Sequence, residues 1–314
     1  MAADRPAAQA LRDPLTVSPS SMVHPGRAVA DVGEAFRTAV GEVRSSLTEA
    51  FGVALLSVEP VADPARRIVR LEGTVASAHV AARVVEATLA NATGWSIDAR
   101  MLTPVGTDRW RRLPPGATAV WSCPGDRGRR PTLTSQLLPD DGPVEVLHRA
   151  GQGTLVRTAR GTLGWVRGPL GSMAPPPVGS RPRARVPLAT VATAWLDVPY
   201  RLGGTLPTGI DCSGLVMRCF TAAWGVPLPR HSTDQVQSEL LTERDARTDD
   251  LVLLRDGVGR AHVGLVVAHT GDGPLVVHAS ARRGRVVAEP LGSLAAAACD
   301  VRLAAATDLI ELHG

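Results

Sequence analysis

Asp211-Cys212-Ser213-Gly214-Leu215-Val216 sets one thiol immediately ahead of an apolar run that continues through Met217 and Phe220. Read as a helix, that run puts Cys212 in its first turn, where unpaired N–H groups and the positive dipole end favour a thiolate. Two β-rich apolar runs downstream each carry an imidazole: Ala261-His262-Val263-Gly264-Leu265-Val266-Val267 and Leu275-Val276-Val277-His278-Ala279-Ser280. A lone cysteine usually packs as a small hydrophobe, and a strand histidine is ordinarily a satisfied core residue. In combination they form a nucleophile, a base and an orienting group. His262 is expected to take the Cys212 proton and to hold the Cys212 pKa well below the free value of about 8.5. His278 is expected to bond the far nitrogen of His262 and fix its tautomer.

The elements around these residues must position them. A short helix over residues 188–196 leads through Pro199 to Tyr200, whose hydroxyl can donate to a developing oxyanion. Gly203 and Gly204 let the chain approach a cleft, and Asp211 stands where a carboxylate caps a helix. Arg230 and Ser232 lie in Pro229-Arg-His-Ser-Thr-Asp-Gln235, and a guanidinium fork suits a carboxylate. His231, His269 and Cys219 are read as structural.

Tyr200-x-x-Gly-Gly, Asp211-Cys-Ser-Gly-Leu-Val, Leu228-Pro-Arg-x-Ser-x-x-Gln235, Asp249-Asp-Leu-Val, His262-Val-Gly and His278-Ala occur in this order. Over residues 188 to 304 the set resembles the NlpC-type papain-like cell-wall peptidases. The resemblance implies helices packed on an antiparallel sheet, and cysteine-peptidase or amidase chemistry on peptidoglycan stem peptides. The bond cut would join D-γ-glutamate to the diamino acid, with no metal and no cofactor. It also implies an oxyanion role for Tyr200 and contacts of Asp211 and Ser213 with the substrate backbone, though capping alone accounts for Asp211. Arg230 and Ser232 would bind the D-glutamyl carboxylate and peptide groups.

The 314 residues can bury two or three cores, and 44% hydrophobic with 20% charged residues is a globular composition. The net charge of +4 is carried by arginine without any lysine, and aromatics are 3%, which argues against a nucleic-acid surface. No apolar run reaches about 18 residues, so no membrane span is expected. Asp4, Arg5, Arg12 and Asp13 break the hydrophobicity of the first residues, which gives an expectation of a cytoplasmic protein. Cys123, Cys212, Cys219 and Cys299 are scattered, without the spacing of a zinc site or a disulfide framework.

The fold class expected is α+β, with the papain-like domain at residues 188–314. Residues 1–27 read as a tail. Residues 28–106 read as helix, strand, strand, helix, strand and resemble a BON-like module, either an attachment domain or a spacer. Short apolar pieces at 117–121, 133–138, 144–147, 154–157 and 164–166 are separated by turn residues and indicate a small barrel over 107–172. It is similar to bacterial SH3-like domains, which wall off one end of the cleft so that a peptide with a free amino end fits. Asp140, Asp141 or Glu145 would meet that ammonium group. The tyrosine that some relatives add from the barrel is missing, since Tyr200 is the chain's only tyrosine. A proline-rich connector covers 173–187. The expected function is cleavage of stem peptides with free N-terminal L-Ala in wall turnover or recycling. Two alternatives remain: a binding protein with an inert papain-like domain, and an amidase or acyltransferase using the same thioester.

Overall fold

The computed structural model describes residues 29–51, 53–91, 94–107, 109–125, 130–177, 186–235, 242, 244–257 and 260–313. The 1–27 tail and part of the 173–187 connector lie outside the described residues.

The first unit runs α1 (Val29–Phe51), β1 (Leu56–Asp63), β2 (Ile68–Val75), α2 (Ala78–Ala90) and β3 (Ser96–Pro104). Its helices form because Phe36, Val40, Val43 and Leu47 on α1, and Val80 and Val84 on α2, fall on single stripes that bury against Val69 and Leu71. The Ser77 hydroxyl caps α2 by accepting from the Val80 N–H at 3.3 Å. The sheet order is β1-β2-β3, with the parallel β2–β3 pair joined through α2. The turn between the first two strands, at residues 64–67, holds Pro64, as the sequence predicts, while β1 itself continues through Pro60, opposite Leu71, because an edge strand tolerates a missing donor.

The second unit holds β4 (Trp110–Arg111), β5 (Thr118–Trp121), β6 (Leu133–Leu137), β7 (Val144–Ala150), β8 (Gly153–Thr158) and β9 (Leu163–Arg167). They make one six-stranded sheet in the order β4-β7-β8-β9-β5-β6. Val120, Leu137, Val144, Val156 and Val166 gather into its core. All five strand pieces expected from sequence are present, and the two-residue β4 is an addition. Glu145, one of the three acids expected to meet a substrate amine, is 1% exposed. It accepts from the Thr107 N–H at 2.6 Å and pairs with Arg157. Burial pushes its carboxyl up, but these bonds outweigh burial and hold it below the usual range. Arg157 also donates to Ala76 O at 2.7 Å and Val105 O at 2.8 Å, so this ion pair fastens the first unit to the second.

The third unit comprises α3 (Leu188–Thr193), β10 (Thr205–Leu206), β11 (Gly209–Ile210), α4 (Cys212–Trp224) and α5 (Ser232–Gln235). It continues with β12 (Leu251–Arg255), β13 (Ala261–Thr270), β14 (Gly273–Ser280), β15 (Arg285–Pro290), α6 (Leu291–Ala295), β16 (Asp300–Ala304) and α7 (Ala306–His313). Its main sheet is antiparallel throughout, in the order β15-β14-β13-β12-β16. Leu188 and Ala192 of α3, Leu215, Val216 and Phe220 of α4, and Leu309 of α7 bury one face of that sheet, against Leu253, Val263, Leu265 and Val277. Val252, Leu254, Val266 and Val276 face the other way, toward Leu291 and Leu294 of α6. The architecture is thus mixed helix and sheet. No helix among the described residues is long and apolar enough to cross a membrane.

Arg218 joins the second and third units. Its guanidinium reaches Asp141 in two bonds of 2.6 and 2.9 Å, while the Thr205 hydroxyl donates to Gln136 O at 2.6 Å. Asp141 also receives Arg160 at 3.5 Å and the Leu138 N–H at 2.7 Å. This second candidate for the substrate amine is therefore occupied at the junction. Asp141→Ala leaves two poorly exposed cations unpaired and is expected to cost about 3 kcal/mol. A lowered urea midpoint with an unchanged slope would show it, and Arg218→Met added to Asp141→Leu should restore part of the loss.

Candidate active site

The site is built on the start of α4. Asp211 caps the helix in extended backbone, accepting from the Gly214 N–H at 2.8 Å. The same carboxylate accepts from the Gly203 N–H at 2.8 Å and from both terminal nitrogens of Arg230, at 2.9 and 2.7 Å. Arg230 donates further to Ser213 Oγ at 2.9 Å. A side chain at Gly214 would put its Cβ 2.4 Å from Gly204 O, so a glycine is required where the helix meets the loop. At its other end α4 stops at Gly225, whose φ of 74° allows its N–H to turn back to Phe220 O and Thr221 O.

In this arrangement Asp211 has the capping role that the sequence allowed it, and Ser213 and Arg230, expected to contact substrate, lie against it. All three are buried, at 5%, 7% and 3% exposure, and they bond one another. A fork anticipated for a substrate carboxylate instead neutralises the helix cap, because a buried carboxylate at a helix start needs a counter-charge. Ser232 begins the α5 turn and is half-buried. Gln235, to which sequence reasoning gave no role, donates to Ser213 O at 2.8 Å and Pro229 O at 2.9 Å and ties that turn beneath α4.

The Cys212 sulfur meets the backbone N–H groups of Ser213 and of Val263, the residue after His262. Strand register does the rest. Val276 of β14 stands opposite Glu289 of β15, and His278 stands opposite Val287, so His278 and Glu289 are diagonal neighbours on one face. His262 Nε2 lies 2.8 Å from His278 Nδ1, and His278 Nε2 lies 3.0 Å from Glu289 Oε2. A Cβ at Gly264 would come within 2.6 Å of Val276 Cγ1 and 3.1 Å of His278 Cβ, so the missing side chain there makes room for the second imidazole. Tyr200 packs against the same core as Cys212, and the Cys212 charge adds to the burial that pushes the Tyr200 phenol up.

Over residues 197–297 the sequence matches the NlpC/P60 family. This part of the chain is an NlpC/P60 domain. It is similar to Murein DD-endopeptidase MepS/Murein LD-carboxypeptidase of Escherichia coli (strain K12), at 39% identity over 94 residues, covering 30% of this chain and 48% of that protein. It is also similar to Gamma-DL-glutamyl hydrolase of Bacillus subtilis (strain 168), at 35% identity over 86 residues, covering 26% of this chain and 21% of that protein. Among solved structures, the NlpC/p60 domain of peptidoglycan hydrolase SagA aligns at 21% identity with a TM-score of 0.32, covering 37% of this chain and 95% of that one. The chain spans about half the length of the Escherichia coli relative, at 48%.

The electrostatics of the NlpC/P60 domain overturn one expectation. Burial pushes the Cys212 thiol up and the Asp211 carboxylate adds to the effect, outweighing the two N–H contacts and Arg230. Burial also holds His262 down at about 4, helped by His278. Both shifts favour a thiol at Cys212 and a neutral imidazole at His262, against the thiolate and imidazolium expected from the sequence. The helix start that favours a thiolate is already neutralising Asp211. Burial raises the Tyr200 phenol to about 12, which keeps its hydrogen available for donation. Cys219 is buried in the core and pushed to about 12 by burial, as befits a packing residue. His269 is exposed at the far end of β13.

Proposed function

We propose that this chain is a cysteine endopeptidase that hydrolyses the γ-D-glutamyl–diamino acid bond of peptidoglycan stem peptides carrying a free N-terminal L-Ala. The observation that carries the reading is the Cys212 sulfur at the capped start of α4, against the Val263 N–H, with the adjacent His262 bonded to His278. The names of the relatives, a murein endopeptidase and a Gamma-DL-glutamyl hydrolase, support the substrate class.

As the sulfur attacks the γ-carbonyl carbon, the thiol proton passes to His262 Nδ1. The oxygen of the tetrahedral intermediate takes the negative charge, with the Tyr200 phenol and the Cys212 N–H as donors. Collapse breaks the C–N bond, and the leaving amine takes the proton from His262. A water that His262 deprotonates then cleaves the thioester and regenerates the thiol.

We read the six-stranded unit as the SH3-like wall of the cleft and the first unit as BON-like. Of the three acids expected at the amine, Asp140 is exposed and without a hydrogen-bond or ion-pair partner among the described residues, which supports it for that role. The test is mass spectrometry of products from L-Ala-γ-D-Glu-diamino acid with free and with acetylated amino ends. Free diamino acid should appear from the unblocked peptide, and Cys212→Ala should abolish it. Equal turnover of the acetylated peptide would overturn the free-amine requirement. One observation favours a second reading, an amidase or acyltransferase: Arg230, the fork meant for a glutamyl carboxylate, is occupied by Asp211. Preference for a simple acyl amide over the tripeptide in the same assay would establish it.

A further inference from the structure

A general base must present an unprotonated nitrogen to the thiol, and a neutral imidazole exists in two tautomers. Nothing in His262 chooses between them, and the 2.8 Å contact between its Nε2 and His278 Nδ1 can carry its hydrogen from either side. The choice is made one strand further on. A carboxylate only accepts, so Glu289, 3.0 Å from His278 Nε2, requires the hydrogen to sit on that nitrogen. His278 Nδ1 is then bare and must accept, His262 Nε2 must donate, and His262 Nδ1 is left free. Arg283 fixes the far oxygen of the carboxylate, with its Nε and a terminal nitrogen both 2.8 Å from Glu289 Oε1. Burial pushes the Glu289 carboxyl up, but the bonds from Arg283 and His278 prevail and hold it below the usual range.

We propose that Glu289 is a positioning residue of the site, selecting through His278 the His262 tautomer whose Nδ1 serves as the base, and that Arg283 anchors it. Glu289 acts through His278, whose Nε2 it bonds, and not on the thiol directly. This inference rests on Cys212 being the nucleophile, and its readouts separate it from the identity of the peptide.

Besides Glu289 itself, the charged and titratable groups that act on the relay are Asp211 at the start of α4, Arg283 before β15, and His278 on His262. Their signs differ. The Glu289 charge favours protonation of both imidazoles, whereas Arg283 disfavours it at His278. Glu289→Gln keeps the shape but offers a donor as well as an acceptor, so both tautomer chains become available.

The experiment uses the full chain with Glu289→Gln, Glu289→Asp and Arg283→Met. It follows kcat and KM on the tripeptide against pH, and the rate of Cys212 alkylation by iodoacetamide, read by peptide mass mapping. Glu289→Gln should lose about 10- to 100-fold in kcat at unchanged KM. Its acid limb should move to lower pH, and Cys212 alkylation at neutral pH should slow. Glu289→Asp should recover part of the loss, and Arg283→Met should move the acid limb to higher pH. Wild-type kcat and alkylation rate in Glu289→Gln would overturn the proposal, as would a loss with no shift of the acid limb. If Glu289→Gln does not fold, the direction of the Arg283→Met shift decides. Should wild-type protein cleave no murein peptide, the proposed function fails while the alkylation rates still judge Glu289.

Discussion

Replacing His262 by alanine is expected to lower kcat for diamino acid release by about 10⁴-fold, with KM nearly unchanged and the fold intact. The Cys212 sulfur meets the N–H of Val263, the residue after His262, and because burial pushes the thiol up it has little thiolate of its own. Without a base the attacking species is a buried thiol. Wild-type kinetics carry the complementary signature. His262 is held near 4 by burial, so its basic nitrogen stays free through neutral and mildly acidic pH, and kcat/KM should fall only well below pH 6.5. The limb belongs to the coupled pair with His278. The same shift acts on stability. Above pH 6.5 neither the folded nor the unfolded chain carries this proton, whereas between 6.5 and about 4 the unfolded chain binds it first. Stability should therefore decline as pH falls through that window, and His262→Ala should lessen the decline in urea titrations.

Asp211→Ala should give the largest loss of stability of any single change at the site, about 3–5 kcal/mol. The carboxylate caps Gly214, receives the Gly203 N–H and pairs with Arg230, which is 3% exposed. Its removal leaves a buried guanidinium without its counter-charge. Asp211→Ala combined with Arg230→Met should be more stable than Asp211→Ala alone, as chemical denaturation would measure. The substitution also reaches the chemistry. Burial is the main cause of the raised thiol, and the Asp211 charge is the next. Removing that charge while Arg230 remains should lower the pH at which the thiolate absorbance of Cys212 appears. An unchanged thiol titration would show that Asp211 acts only as a cap.

These two residues illustrate how far the sequence could be read. The places of Cys212 at a helix start and of His262 and His278 on neighbouring strands were legible because helix periodicity and strand alternation set their local frames. The expected element order of the first unit and all five pieces of the second unit were legible for the same reason: each is decided by apolar period and turn residues within a few positions. Long-range pairing was not. Arg230 and Asp211 are 19 positions apart, and whether a guanidinium meets a substrate or a helix cap depends on how a loop returns to the helix. Asp141 and Glu145 likewise read as turn and strand charges, and only packing between units assigns them to Arg218 and Arg157. Glu289 was missed altogether. In Arg285-Val-Val-Ala-Glu-Pro290 it reads as a solvent-facing charge, and only the register of β14 with β15 brings it to His278.

The claim on which the account depends is covalent attachment of the substrate acyl group to Cys212. Protein mixed with the tripeptide, quenched in acid during turnover and digested, should yield the peptide bearing Cys212 heavier by the L-Ala-γ-D-Glu acyl group, with no such adduct elsewhere. Turnover that continues with no adduct on Cys212, and that persists in Cys212→Ala, would contradict it.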